Sequence, residues 1–181
     1  MDIYEVLNKI ISNKRFELSS HLFTQVDREK IDENDKLLFD ILRNISSLGT
    51  EIYNGGIKFH PRVVMSDGQR TFSIEDITDD YYKKLEKIDF QRLPLVLRAL
   101  VADILWTQKK DFKASQIAAE TYWDLFQLWY TNGDNIGTLD MIRRAVCISV
   151  QTIQLDLYSR ICMWFNNFLL HDAANGDGFF S

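Results

Sequence analysis

The apolar stretch over residues 93–130 constrains the fold more than any other feature of this sequence. Between residues 95 and 106 only Arg98 and Asp103 are charged, so apolar side chains surround nearly the whole circumference of a helix. A helix on the surface would show a polar face, and we therefore expect neighbours to cover this one on most sides. The sequence predicts a central, buried helix.

A second helix is predicted to follow after a tight turn. Lys109 and Lys110 suit the C-terminal end of the first helix, while Asp111 is a good N-cap for a helix that begins at Phe112. Its apolar residues recur at three- and four-residue spacing, which predicts the face that lies against the first helix. These residues are Ala114, Ala118, Tyr122, Leu125, Phe126 and Trp129.

Four helices are predicted before this central pair, because apolar residues follow the helical period there. The first is capped by Asp2 and the second covers residues 16–26. The third is capped by Asp32 or Asn34, and the fourth is capped by Ser73.

Two more helices are predicted after the pair. The seventh runs from about residue 139 to 154, and the eighth follows Asp156. The residues of these two helices that we expect to face inward are Ile142, Ala145, Val146, Val150, Ile153, Leu157, Ile161, Cys162, Phe165, Phe168 and Leu169.

The fold class indicated is all-α, with about eight helices in an irregular array of stacked helical hairpins. The residues at the turn indicate a tetratricopeptide-like or α-solenoid-like array, although no period near 34 residues repeats. Residues 57–72 are predicted to form a loop or a small hairpin. We expect one helical domain over residues 1–172, with a possible subdivision into 1–56 and 73–172, and a disordered tail at 173–181.

Composition limits the classes of function. The formal net charge of -5 gives no support for nucleic-acid binding. No apolar run reaches the roughly 18 residues that span a bilayer. The first twenty residues lack a signal-peptide layout, so we expect a cytoplasmic protein without membrane contact. Cys147 and Cys162 lie in apolar helical patterns, as buried reduced thiols do.

Motifs that carry chemistry are missing from the sequence. His21, His60 and His171 lie on separate segments, without a carboxylate or second histidine at metal-ligand spacing. Phosphate-binding glycine loops and the nucleophile elbow are also absent. We predict no metal, no cofactor and no catalytic residue.

Charges inside the central helix are the first candidates for special roles. Arg98 and Asp103 are expected to be buried and to meet partners on neighbouring helices, since an unpaired buried charge is costly. A functional site is the alternative interpretation. Arg143 and Arg144 are predicted to be surface charges.

Aromatic residues are the second set of candidates. Trp106, Tyr122, Trp123 and Trp129 recur at helical spacing, which is typical of a core but also compatible with a groove. The groove interpretation predicts a small-molecule sensor with an aromatic pocket.

Arg15 and His21, with five residues between them, form a third candidate site. Their spacing resembles the Arg-x(4 to 6)-His signature of helical HEPN ribonucleases, which implies action on an RNA phosphate. A polar residue usually follows the arginine in that family, whereas Phe16 follows it here. A solvated helix face is the interpretation of the pair that we favour.

A longer stretch resembles the N-terminal helical region of a bacterial family of unknown function. It reads LRALVADILWTQKKDFKASQIAAETYW at residues 97–123, with TFSIEDI before it and IRRAVCISV after it. The matching positions are Leu97, Arg98, Ala99, Ala102, Asp103, Leu105, Trp106, Lys109 and Ala145. Members of that family carry a downstream Arg-Asn-x-x-x-His segment, similar to the HEPN signature, that this sequence lacks. The resemblance implies a non-catalytic N-terminal portion or a shortened relative.

The leading hypothesis from the sequence is a helical scaffold that binds a protein partner or supports a downstream domain. We do not expect this chain to be an enzyme. The first alternative is an accessory part of a HEPN-like RNA-cleaving system. The second is the small-molecule sensor. The sequence leaves the oligomeric state open.

Overall fold

The computed structural model describes residues 2–10, 23–55, 77–131 and 138–175. Within these ranges the chain is all-α and contains no strand, which confirms the predicted fold class. The helices are α1 Ile3–Ile10, α2 Glu33–Gly55, α3 Asp79–Glu86, α4 Leu95–Lys109, α5 Phe112–Thr131, α6 Thr138–Gln151 and α7 Leu155–Asn175. Short 3-10 helices lie at Phe23–Gln25, Arg28–Lys30 and Phe90–Arg92.

Helix α4 is the centre of the molecule. Between residues 96 and 106 every side chain except Arg98 is buried, as expected for a helix with apolar residues all round. α4 packs along α5 and also contacts α2 and α3. α5 packs along α6, and α6 contacts α7, so the second half of the chain is a series of adjacent hairpins.

The turn between α4 and α5 has the predicted chemistry. The backbone N–H of Lys110 donates to the carbonyl of Trp106 at 2.9 Å, with Lys110 in the left-handed region at φ 55°. The N–H of Ala114 then donates to Oδ1 of Asp111 at 3.1 Å, which confirms Asp111 as the cap of α5. Ala114 and Ala118 are buried, so the two backbones approach closely.

The N-terminal helix is tied to the segment that leads into α4. The N–H of Asp89 donates to the hydroxyl of Tyr4 at 2.9 Å. Arg92 donates to Asp2 at 2.9 Å and lies over the Tyr4 ring at 4.4 Å from its centre. These contacts fix α1 against the N-terminal end of the central helix.

Two predicted helices differ from the structure. Ile77 and Thr78 are not helical, and α3 begins only at Asp79, where two acidic residues favour the positive end of the helix dipole. Ser73 lies outside the described residues. Of the helix predicted over residues 16–26, the described part holds only the 3-10 helix Phe23–Gln25.

The end of the chain also departs from the prediction. α7 continues to Asn175, so residues 173–175 of the predicted tail are helical. Residues 176–181 and the loop predicted at 57–72 lie outside the described residues. The single domain over 1–172 and its subdivision stay predictions.

Several residues that were expected to face inward are exposed. The exposed fractions are 56% for Val150, 75% for Ile153 and 46% for Leu169. Cys147 and Cys162 are free thiols of intermediate exposure and are not fully buried. These side chains are not fully buried because, in the part of the chain that the structure describes, no further helix packs on the sides of α6 and α7 that carry them.

The α6–α7 turn adds a local cause at Ile153. Its φ of 57° places a β-branched residue in the left-handed region. The N–H of Gln154 donates to the carbonyl of Ser149 at 2.8 Å, and that of Ile153 to Val150 at 3.3 Å. This bonding closes α6 and turns the Ile153 side chain into solvent.

Ala118→Leu should lower the free energy of unfolding by about 1 to 3 kcal/mol, because extra methyl groups overpack the α4–α5 contact. Chemical denaturation measures the change. Gln127→Leu, on the exposed face of α5, is the control and should change stability by less than about 0.5 kcal/mol. An Ala118→Leu protein as stable as the wild type would contradict the close packing of α4 and α5.

Candidate functional site

A carboxylate buried in α4 joins the three central helices. Asp103 is 0% exposed, and Arg144 of α6 donates to it through two nitrogens. Nε lies 2.9 Å from Oδ2, and Nη2 lies 2.6 Å from Oδ1. This two-bond geometry is the strongest that an arginine and a carboxylate form.

Two hydroxyl groups complete the surroundings of Asp103. The Tyr122 hydroxyl of α5 donates to Oδ2 at 2.7 Å, and the Thr107 hydroxyl of α4 donates to Oδ1 at 3.0 Å. Asp103 therefore accepts four hydrogen bonds, about the number that a carboxylate can accept. We call Asp103, Thr107, Tyr122 and Arg144 the Asp103 cluster.

Burial and charge shift the pKa values in this cluster. Burial raises the pKa of Tyr122 well above 10.0, and the charge of Asp103 adds to the effect. Burial lowers the pKa of Arg144, but the hydrogen bonds and charge of Asp103 outweigh it and raise that pKa. Because every oxygen of Asp103 is occupied, the cluster is suited to fixing helices and not to proton transfer.

Arg98, the other charge in α4, does not contact Asp103. It donates to three backbone carbonyls of the segment before its own helix: Phe90 at 2.6 Å, Gln91 at 2.9 Å and Leu93 at 3.0 Å. Burial lowers its pKa. Arg98 therefore holds the start of α4 against the preceding 3-10 helix.

Arg144 was missed by the sequence analysis, which placed it on the surface with Arg143. Its side chain is only 17% exposed. The signal was present, because Arg144 lies three residues after buried Met141 and four before buried Ile148. That spacing puts all three on one helix face.

A polar cleft of about 530 Å³ opens between the start of α4, the outer face of α5 and the α6–α7 turn. Arg98, Glu120, Asp124 and Asp156 line it. Partial burial raises the pKa of Asp124, and the nearby charge of Glu120 raises it further. The Thr121 hydroxyl in the cleft donates to a backbone carbonyl at 2.6 Å, so it is not prepared to act as a nucleophile.

The aromatic candidates belong to the core. Trp106, Tyr122 and Trp123 are at most 8% exposed. Trp123 contacts Trp164 of α7, with 6.0 Å between ring centres. The side chain of Trp129 lies outside the described residues. The three placed aromatics are therefore part of the packing between helices.

The remaining candidate features add no reactive site among the residues that the structure describes. Arg15 and His21 lie outside the described residues. Within the described ranges, no group of three or more His, Cys, Asp or Glu residues can hold a metal ion. A search of the same ranges finds no helix with the length and apolarity to cross a membrane.

Helix α7 presents five large apolar side chains to solvent. Leu155 is 67% exposed, Met163 is 65% exposed and Leu170 is 72% exposed. Tyr158 and Leu169 are 39% and 46% exposed. We call these five residues the α7 surface.

Fold and site together define an all-α domain that is locked by a buried carboxylate–guanidinium pair and carries an apolar helix at its surface. Residues 1–154 match DUF7380, a domain of unknown function, and the chain belongs to this family. The match includes the first half of the chain, and it ends directly before α7. No curated protein and no solved structure matches the chain. The downstream HEPN-like segment of the resembling family stays a prediction.

Asp103→Asn should destabilise the protein by about 3 to 5 kcal/mol, because it leaves the Arg144 charge without its buried partner. Urea unfolding measures the loss, and Asp103→Leu combined with Arg144→Met and Tyr122→Phe should recover most of it, because the buried charge and the buried phenol are then removed together with their partner. The control is Asp156→Asn, which removes a surface pair with Arg160 and should change stability by less than about 1 kcal/mol. Similar stabilities for the Asp103→Asn and Asp156→Asn proteins would contradict the role of the cluster.

The raised pKa of Tyr122 predicts a loss of stability at high pH. Below about pH 10 the phenol is neutral in both states, so its contribution is complete. Above that pH only the unfolded state releases the proton, and about 1.4 kcal/mol is lost per pH unit until the folded state titrates. The stability difference between wild type and Tyr122→Phe should be constant from about pH 7 to 9 and should fall above 10. A constant difference up to about pH 11 would show that Tyr122 titrates alike in both states.

Proposed function

We propose that this chain, a DUF7380 domain followed by α7, is a helical scaffold that works through protein–protein contacts, and that α7 provides the contact surface. The exposure of the α7 surface is the observation that supports the proposal. Contiguous apolar patches on a folded protein commonly mark interaction sites. The scaffold is assigned no catalytic step.

The helices against which α7 packs are suited to this role. The Asp103 cluster fixes α4, α5 and α6 in one arrangement through bonds of 2.6 to 3.0 Å. Trp164 of α7 then packs edge-on against Phe126 of α5, with 5.0 Å between ring centres. The inner face of α7 is therefore anchored, and its outer apolar residues are held in fixed positions that a partner can recognise.

The other hypotheses have less support. The RNA-cleaving alternative rests on Arg15, His21 and the sequence resemblance alone. Support for the sensor alternative is limited, since Trp106, Tyr122 and Trp123 are core residues. We also propose a cytoplasmic location, supported by two free cysteines.

A photo-cross-linking amino acid at Leu155 or Leu170 should form covalent adducts with a protein when the chain is expressed at its natural level in its own cells. The adducts are detected as a mass increase and identified by mass spectrometry. The control position is Gln127, which is exposed on the polar side of α5 and should give no adduct. Absence of adducts at both α7 positions would contradict the proposed function.

A further inference from the structure

Five residues of α7 form a regular apolar stripe along one side of the helix. They follow each other at intervals of three, four, three and four residues, which is the heptad spacing of helices that pair side by side. We call them the α7 seam: Leu155, Tyr158, Cys162, Phe165 and Leu169. The seam covers two heptads and is about 21 Å long.

The described residues leave this seam largely uncovered. Leu155, Tyr158 and Leu169 are exposed, while Cys162 and Phe165 are of intermediate exposure. The buried side of α7, at Leu157 and Ile161, lies about a quarter-turn away around the helix. Phe165 packs partly against the core, so a second helix on the seam would contact only the part of that side chain that stays exposed.

The seam is symmetric about its middle residue. Leu155 lies seven residues before Cys162, and Leu169 lies seven residues after it. Tyr158 lies four residues before Cys162, and Phe165 lies three residues after it. Two antiparallel copies of the seam then place each leucine opposite the other leucine, each tyrosine opposite a phenylalanine, and the two cysteines together. Such a self-matching patch is what a two-fold symmetric dimer requires.

The absence of charge along the seam is a second argument that its partner is a copy of the same chain. No charged residue occurs from residue 161 to 170, so two copies bring no like charges together along most of the seam. Arg160 is already engaged on another side of α7. It donates to Glu120 at 2.7 Å and to Asp156 at 3.2 Å. A partner with a basic or acidic helix would find no complementary charge on the seam.

We propose that the α7 seam pairs antiparallel with the seam of a second copy of this chain, about a two-fold axis at Cys162. The inference rests on the proposed function, because the seam shares Leu155, Tyr158 and Leu169 with the α7 surface and the inference names the partner of that surface. Its interface would bury side chains that the isolated domain exposes, as apolar residues at a dimer contact do.

Sedimentation equilibrium of the reduced, full chain is the first test. The expected mass is twice 21.2 kDa at micromolar concentration. Leu169→Lys should weaken the dimer by about tenfold or more, since the charge would be buried against Leu155 of the second copy. Asn167→Lys is the matched control, because Asn167 is exposed on α7 but belongs neither to the seam nor to the α7 surface, and it should leave the mass unchanged. A mass of 21.2 kDa at every concentration would overturn the proposal.

Thiol cross-linking tests the axis. In a Cys147→Ser background, diamide should take two protons and two electrons from a pair of Cys162 thiols and leave an intermolecular disulfide. A disulfide needs Cβ atoms about 3.5 to 4.5 Å apart, which the axis provides at this position. Moving the thiol off the seam, with Cys162→Ser and Ser159→Cys, should slow the reaction by about tenfold or more.

Mixed variants test the direction of the helices. In a background without native thiols, a Leu155→Cys chain and a Leu169→Cys chain should form a disulfide when mixed, and neither should do so alone. Linkage of Leu155→Cys chains to each other would show parallel pairing and overturn the inference. If Leu155 photo-cross-links to a different protein while the purified chain stays monomeric, self-pairing is wrong and the interaction function stands. If neither contact forms, both fail.

Discussion

The burial of one carboxylate is the constraint on which the packing of the central helices depends. Asp103 is fully buried, and a buried charge costs several kcal/mol unless it is paired and hydrogen-bonded. Arg144, Tyr122 and Thr107 supply those bonds from three helices. Other registers of α4, α5 and α6 would separate these groups, so the cluster selects one arrangement among the many that apolar packing alone would allow.

The core extends outward from that cluster and ends at α7. Inside, α5 approaches α4 through alanines, and aromatic rings fill the space between α5 and α7. On its outer side α7 keeps apolar residues, including Leu155 and Leu170. The same helix therefore packs against the core on one side and exposes apolar side chains on the other.

Particular residues show how far the sequence could be interpreted. Asp111 was identifiable as a cap because capping depends on a few neighbouring residues. The exposure of Arg144 and Cys162 was predicted wrongly. Arg144 lies beside another arginine, which suggested a surface position, and Cys162 lies within an apolar stripe, which suggested a buried one. A stripe at helical spacing shows that a helix face is apolar, but it does not show which element covers that face. For the α7 seam, the described chain supplies no covering helix.

The sequence by itself determined the helical fold class, the central hairpin and its turn, because these follow from local periodicity and capping over short spans. Only the tertiary structure decided which charges pair. Arg98 and Asp103 are equally conspicuous in the sequence, yet one binds backbone carbonyls and the other binds Arg144, 41 residues away. Pairing across that distance depends on how helices pack in space, and so does the exposure of α7. Neither is encoded in the spacing of residues along one helix.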